Sequence, residues 1–260
     1  MKWVGGKRSV LDELLRRIPE KFSSYNECFV GGGALFFALK SRKTNLKANL
    51  SDVNHHLIQS YQAIRDDVEG VISELKNHKK RHKESHFLRV RKLLSTEKDA
   101  VKVAGYLIYL NKTCYNGLYR VNQGGEFNTP LGSYENPSIL DDRNLRNVSE
   151  ALQGATIKRT SFEEIRIRKG SFYYLDPPYH QAYDSYNGSR FNDEQHEKLA
   201  QKCYEIAEKG GYFLLSNSNT KFVRDLYRGF NMNKIMAGRY ISCKSDQRGR
   251  QCELVIRNYG

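Results

Sequence analysis

Asp176, Pro177, Pro178 and Tyr179 follow directly on the apolar and aromatic run Phe172-Tyr173-Tyr174-Leu175. Such a run fits a buried strand, and two prolines cannot continue one. The strand must stop at Asp176 and pass into a rigid, extended turn. One carboxylate, one proline carbonyl and one tyrosine ring are then presented together at the carboxyl end of a strand, where ligands bind in open α/β sheets. The competing reading is an ordinary Pro-Pro turn after a strand.

A second constellation is Phe29-Val30-Gly31-Gly32-Gly33, glycines placed directly after another apolar run. Glycine there lets the backbone turn sharply and lets a ligand approach closely. A dinucleotide fingerprint would require a further glycine three residues beyond Gly33, and Phe36 stands there, so a smaller nucleoside cofactor fits better than NAD. Asp52 follows about 20 residues later at the end of the next strand-like run, where a carboxylate can accept bonds from ribose hydroxyls. Trp3-Val4-Gly5-Gly6-Lys7 is not a phosphate-binding P-loop: Arg8 follows Lys7, no strand precedes it and the leading glycine is missing. Taken alone, Lys7 reads as a solvated surface charge. His78, His82 and His86 have the spacing of one helical face, but Lys79, Lys80, Arg81 and Lys83 surround them and would repel a dication. That reading gives no metal site and a solvated, phosphate-facing helix.

The elements that must carry these residues follow from periodicity and turn chemistry. Ser9 with Asp12 resembles a capping box for a helix with Val10, Leu14 and Ile18 on its apolar stripe. Tyr25–Val30, the glycine turn, a helix over Ala34–Lys40 and a strand over Leu46–Leu50 make a βαβ unit and imply a parallel sheet. Residues 57–94 are helical and increasingly basic, and Val101–Leu110 continues as helix. The Gly-, Asn- and Tyr-rich stretch Cys114–Tyr134 has no regular period and mixes Asn and Arg, which read base edges, with aromatics. Strand-like runs return at Ala155–Arg159 and Phe172. Asn192 with Gln195 caps a helix that ends at Gly210. Tyr212–Leu215 is a strand, and Lys234–Ile241 with Cys252–Asn258 suggests an antiparallel hairpin at the sheet edge.

Lys and Arg together number 43 against 29 Asp and Glu, a net charge of +14. That excess attracts polyanions, with nucleic acid foremost. No run approaches the ~18 uninterrupted apolar residues of a membrane span, and the N-terminus carries no apolar signal core. The five cysteines are odd in number and contain no Cys-x-x-Cys pair, which speaks against a disulfide framework or zinc knuckle. A cytoplasmic protein, monomeric or weakly dimeric, is expected.

In combination these motifs resemble the DNA adenine-N6 methyltransferases of the Dam type (the D12 class, alpha order of motifs). The resemblance rests on Trp3…Gly5-Gly6-Lys7, Phe29-Val30-Gly31-Gly32-Gly33, Asp52-x-Asn54, Asn116-Gly117-Leu118-x-Arg120, Phe127-Asn128-x-Pro130, Asp176-Pro177-Pro178-Tyr179 and Leu215-Ser216-Asn217. It implies an α/β, Rossmann-like S-adenosylmethionine-dependent methyltransferase sheet with a mostly helical target-recognition insertion. Residues 1–56 and 145–260 would form the catalytic, cofactor-binding domain, and 57–144 the DNA-binding domain. It further implies transfer of a methyl group to N6 of a flipped-out adenine in double-stranded DNA, within GATC. Asp176 and the Pro177 carbonyl would accept the N6 hydrogens, Pro178 would stiffen the turn, and Tyr179 would stack on the base. Trp3, Lys7, Phe29, Gly31, Gly33, Asp52, Phe162, Asp176 and Tyr186 would form the cofactor pocket. Asn116, Leu118, Arg120, Asn128, Pro130 and Tyr134 would meet DNA, with Arg120 reading a guanine. The alternatives are an amino-methyltransferase acting on RNA or protein, and a catalytically silent DNA-binding module.

Overall fold

Strand β4 (Phe172–Leu175) ends where the prolines require, immediately before Asp176. The computed structural model that shows this describes Trp3 and residues 5–181, 191–238 and 250–260; Tyr186 lies outside the described residues. The other strands are β1 (Tyr25–Glu27), β2 (Ala48–Asp52), β3 (Thr156–Arg159), β5 (Tyr212–Ser218), β6 (Asn231–Gly238) and β7 (Arg250–Arg257). Their order in the sheet is β3-β2-β1-β4-β5-β7-β6. β1 pairs in parallel with both β2 and β4, and β4 with β5. β7 runs antiparallel between β5 and β6, so the C-terminal hairpin joins the sheet through its second strand.

Two compact units emerge. One comprises residues 5–53 together with the described residues from 158 onward, and contains most of the sheet. Its helices are α1 (Leu11–Leu15), α2 (Ala34–Arg42), α8 (Asp193–Glu208) and α9 (Lys221–Leu226). Leu199, Cys203 and Ile206 of α8 pack on Tyr173 and Leu175 of β4, Phe213 and Leu215 of β5, and Leu254 and Ile256 of β7. Alternation along β4 sends Phe172 to the opposite face, where its ring meets Phe22 and Tyr25. The Asn192–Gln195 capping box is present at the start of α8, and Gly210 closes its far end with φ +71°. The expected cap at Ser9 is not the one used. A 3₁₀ turn over Lys7–Val10 comes first, and α1 opens at Leu11 with no side-chain cap bond at Val10. The tighter turn buries Lys7 as well as Val10.

The second unit spans residues 54–157 with Trp3. Its helices are α3 (His55–Asp66), α4 (Val68–Lys80), α5 (Glu84–Leu93), α6 (Ala100–Thr113) and α7 (Asp142–Leu152). The apolar α6 is buried along nearly its whole length, and α3, α4 and α5 pack around it. α7, left to the sheet domain by the sequence pattern, packs on α3 and α4 and is tied to them by Arg146 to Glu69 at 2.7 Å.

The three histidines do not share one helical face. The chain breaks between α4 and α5, so His78 belongs to one helix and His86 to the next, with His82 between them. His78 is buried rather than solvated: it stacks on Tyr109 of α6, and its Nδ1 lies 2.9 Å from His86 Nε2. Burial depresses its pKa to about 4, so it packs as a neutral core side chain.

Candidate active site

The strand order makes a switch point at the carboxyl ends of β1 and β4. From β1 the chain passes through α2 to β2 on one side, while β4 joins on the other. A crevice of this kind is where ligands sit in such sheets. Tight backbone geometry opens the β1 side. Gly31 (φ +43°) and Gly33 (φ +64°) occupy the left-handed region, and Gly33 is the N-cap residue of α2. A side chain at either would be strained. Asp52, at the end of β2, accepts from the Gly31 amide through Oδ2 at 3.1 Å. Phe29 stacks on Phe162 with ring centroids 5.6 Å apart, and Phe191 closes on both.

Across the crevice, Asp176 stands beside Lys7. The Lys7 ammonium is 2.9 Å from Asp176 Oδ1, with side-chain exposures of 9% and 17%. Lys7 also donates to the Gly5 carbonyl at 2.7 Å and lies 4.7 Å from the centre of the Tyr179 ring. The expectation of a solvated Lys7, drawn from its own motif, is therefore replaced by a buried ion pair. Asp176 Oδ1 is enclosed, and because a carboxylate oxygen can accept more than one bond, its contact with Lys7 leaves acceptor capacity. Burial raises the Asp176 pKa to about 6 against the pull of Lys7. Desolvation outweighs the ion pair, but the carboxylate is still ionised at neutral pH.

The turn after β4 is gripped from β5. Asn217 Oδ1 accepts from the amides of His180 and Ser218, and Ser218 Oγ donates to the His180 carbonyl at 2.7 Å. Pro177 is buried and Pro178 exposed. Tyr179 donates its hydroxyl proton to Glu253 Oε2 at 2.8 Å.

No motif or periodicity in the sequence singles out Glu253 or Glu27. Glu27, on β1, is buried at 3% exposure and accepts from the Tyr25 hydroxyl at 2.9 Å. Burial, with Asp176 and Asp52 nearby, raises its pKa to about 8 although Tyr25 pulls the other way. Because the folded value lies above the unfolded one, its stabilising contribution is complete below about pH 4.5 and is lost as pH rises to about 8. Between those values the parent is expected to lose up to about 1.4 kcal/mol per pH unit relative to Glu27→Gln. Thermal or urea unfolding across pH 5–8 would check this, and parallel curves for the two proteins would refute it.

In the helical unit, Cys114–Tyr134 folds as a small hairpin-like excursion rather than as an irregular loop. Asn116 (φ 54°, ψ 13°) and Gly117 (φ +67°) form a tight turn closed by the Leu118 amide donating to Tyr115 O at 3.2 Å. That is the Asn-Gly, type I′ pattern. Asn111 Nδ2 donates to the Gly117 carbonyl and Thr129 Oγ1 to the Leu118 carbonyl. Leu118 is buried, so its side chain anchors the turn in this structure. Antiparallel bridges join Cys114 to Leu131 and Val121 to Phe127. Across that hairpin Arg120 donates through Nε to Asn128 Oδ1 at 2.7 Å and through Nη2 to Asn128 O at 3.2 Å. Pro130 and Tyr134 are exposed. Tyr119 stacks on Trp3 and meets Phe127 edge-on, and its hydroxyl lies 3.2 Å from His56 Nδ1.

The family model of the D12 class N6 adenine-specific DNA methyltransferases matches residues 3–241. This chain belongs to that family. It is 38% identical to a type II methyltransferase, M.MjaIII, of Methanocaldococcus jannaschii, over 100% of this chain and 98% of the relative. It is 36% identical to type II methyltransferase M1.LlaDCHI of Lactococcus lactis subsp. cremoris, over 100% and 94%. A DNA adenine methylase of Vibrio cholerae is 32% identical over 98% of this chain and 94% of its own. As a D12-class enzyme the protein is an adenine-N6 DNA methyltransferase with an α/β fold, its substrate is DNA and its methyl donor is S-adenosylmethionine. Among the described residues no helix is long and apolar enough to cross a membrane, and no three His, Cys, Asp or Glu side chains gather as metal ligands.

Proposed function

We propose that this D12 methyltransferase acts on an adenine turned out of the duplex, within a GATC-like site, and that Asp176, Pro177 and Tyr179 hold the base. The observation that carries the reading is Asp176 Oδ1: an enclosed acceptor with capacity to spare, beside an aromatic ring at the sheet's switch point. The crevice residues suit the cofactor. Gly31 and Gly33 keep side chains out of the turn, Asp52 offers a carboxylate for ribose hydroxyls, and Phe29 with Phe162 supplies an apolar wall. When bound, S-adenosylmethionine supplies an electrophilic methyl group on a sulfonium.

The chain's own task is to make a poor nucleophile react. The N6 lone pair is delocalised into the adenine ring, so the amine must be positioned and its lone pair localised. Asp176 accepts one N6 hydrogen and the Pro177 carbonyl the other, favouring a pyramidal nitrogen. Lys7 favours the ionised, accepting form of Asp176. Tyr179 stacks on the extruded base, which cannot be reached inside a duplex. The helical unit, residues 54–157, acts as the target-recognition domain. There Asn128 occupies the Nε edge of Arg120, leaving Nη1 and Nη2 to meet guanine O6 and N7. Pro130, Tyr134 and the neighbouring basic helices contribute DNA contacts that set register.

The test is to incubate the protein with labelled S-adenosylmethionine and plasmid DNA, then map which restriction sites become protected. Label at adenine N6 with protection at GATC is the expected result. No label in DNA sinks the reading, and protection confined to other sequences sinks its GATC part.

A further inference from the structure

Glu253 is a buried carboxylate, 6% exposed, on a strand that the adenine-holding turn does not belong to. Its place follows from the antiparallel run of β7. The register pairs Glu253 with Ser218, the last residue of β5. The early part of β7 therefore reaches the same sheet edge where the parallel strands end and the Asp176–Tyr179 turn begins. Burying a carboxylate there is costly unless it is hydrogen-bonded, and the bond it receives is the Tyr179 hydroxyl at 2.8 Å. The Lys7 ammonium lies over the same ring, 4.7 Å from its centre.

The Tyr179 ring is thus fixed at its tip by an anion and over its centre by a cation. A phenol without either could rotate about χ1 and χ2. A charge-assisted O–H···O⁻ bond is strong enough to bias such a rotor heavily toward one orientation. The Lys7 ammonium lies over one face of the ring, so a planar base would stack on the opposite face. We propose that Glu253 is a positioning residue for the target adenine, acting through the Tyr179 hydroxyl to set the plane on which the base stacks. This rests on the reading that Tyr179 stacks on an extruded base.

The experiment is a double-mutant cycle on Glu253 and Tyr179, with kcat and KM measured on duplex DNA. Glu253→Ala and Tyr179→Phe should each lower kcat/KM by about 10–100-fold, the size expected for a lost charge-assisted bond. The double variant should fall no further than either single variant. Glu253→Gln keeps an acceptor oxygen for the same hydroxyl and should retain most of the parental kcat/KM. Losses that multiply in the double variant overturn the proposal, as does a Glu253→Gln variant as poor as Glu253→Ala. If Glu253→Ala does not fold, Glu253→Gln against Tyr179→Phe decides: equal losses refute the positioning role. Duplexes with 2-aminopurine at the target adenine separate this from the underlying reading. Parental protein that gives no fluorescence rise on binding refutes base extrusion itself, whereas a rise together with multiplying losses refutes Glu253 alone.

Discussion

Asp176→Ala is expected to lose methyl transfer by at least about 10²–10³-fold, the effect of removing one preorganised hydrogen-bonding group from a reacting centre. DNA affinity should largely survive, because phosphate contacts from the basic surface supply most of it. The comparison needs single-turnover transfer and a binding assay on the same duplex. Near-parental transfer would show that another group accepts the N6 hydrogen. The substitution also deprives the buried Lys7 of its carboxylate, so thermal unfolding must accompany the kinetics. Asp176→Asn, which keeps a carbonyl acceptor, should fall between the two. The same carboxylate sets a pH dependence. With its pKa raised to about 6 by burial, the accepting, ionised form grows as pH rises through that value. In the parent, kcat/KM should climb through an acidic limb near pH 6 and level off above it. The limb should be absent from Asp176→Asn. A parental profile flat from pH 5 to 7.5 would contradict the role of Asp176.

Arg120→Ala should relax discrimination at one guanine by about 1–3 kcal/mol while leaving the chemistry intact. The measurement is the ratio of transfer rates on the cognate duplex and on one carrying a single G·C substitution. That ratio should shrink at one position only, and an unchanged ratio at every position refutes the role of Arg120. Asn128→Ala gives a graded control. It frees the Nε edge of the guanidinium from its side-chain acceptor but leaves the Asn128 carbonyl contact, so it should relax the same position less.

Legibility from the sequence divided along a physical line. Features set by neighbours in the chain could be read directly. Two prolines end β4 at Leu175 whatever surrounds them, and the glycines after β1 turn with positive φ. The Asn192–Gln195 box and Gly210 bound α8. Asn116-Gly117 makes a tight turn for the same local reason, although the stretch around it has no regular period. The Ser9 expectation failed on equally local grounds: a 3₁₀ turn over Lys7–Val10 preceded the α-helix and moved its start to Leu11. The histidine spacing misleads because periodicity continues through a helix break that three intervening residues, Arg81 to Lys83, are enough to make.

The motifs in the sequence by themselves marked Gly31, Gly33, Asp52 and Asp176, and the family resemblance those motifs carry supplied the class of the protein and added Phe162. Only the tertiary structure decided how those residues are charged and held. Lys7 has the pattern of a surface lysine within its own motif, and is the partner of Asp176 because the first turn folds onto the end of β4. Glu253 and Glu27 carry no local signal. One is brought to Tyr179 by the antiparallel insertion of β7, the other is driven to about 8 by burial on β1. The reason is the same in each case. Turn chemistry and periodicity act over a few residues and are written in the chain, whereas desolvation and long-range pairing depend on strand order, which no stretch of the chain carries alone.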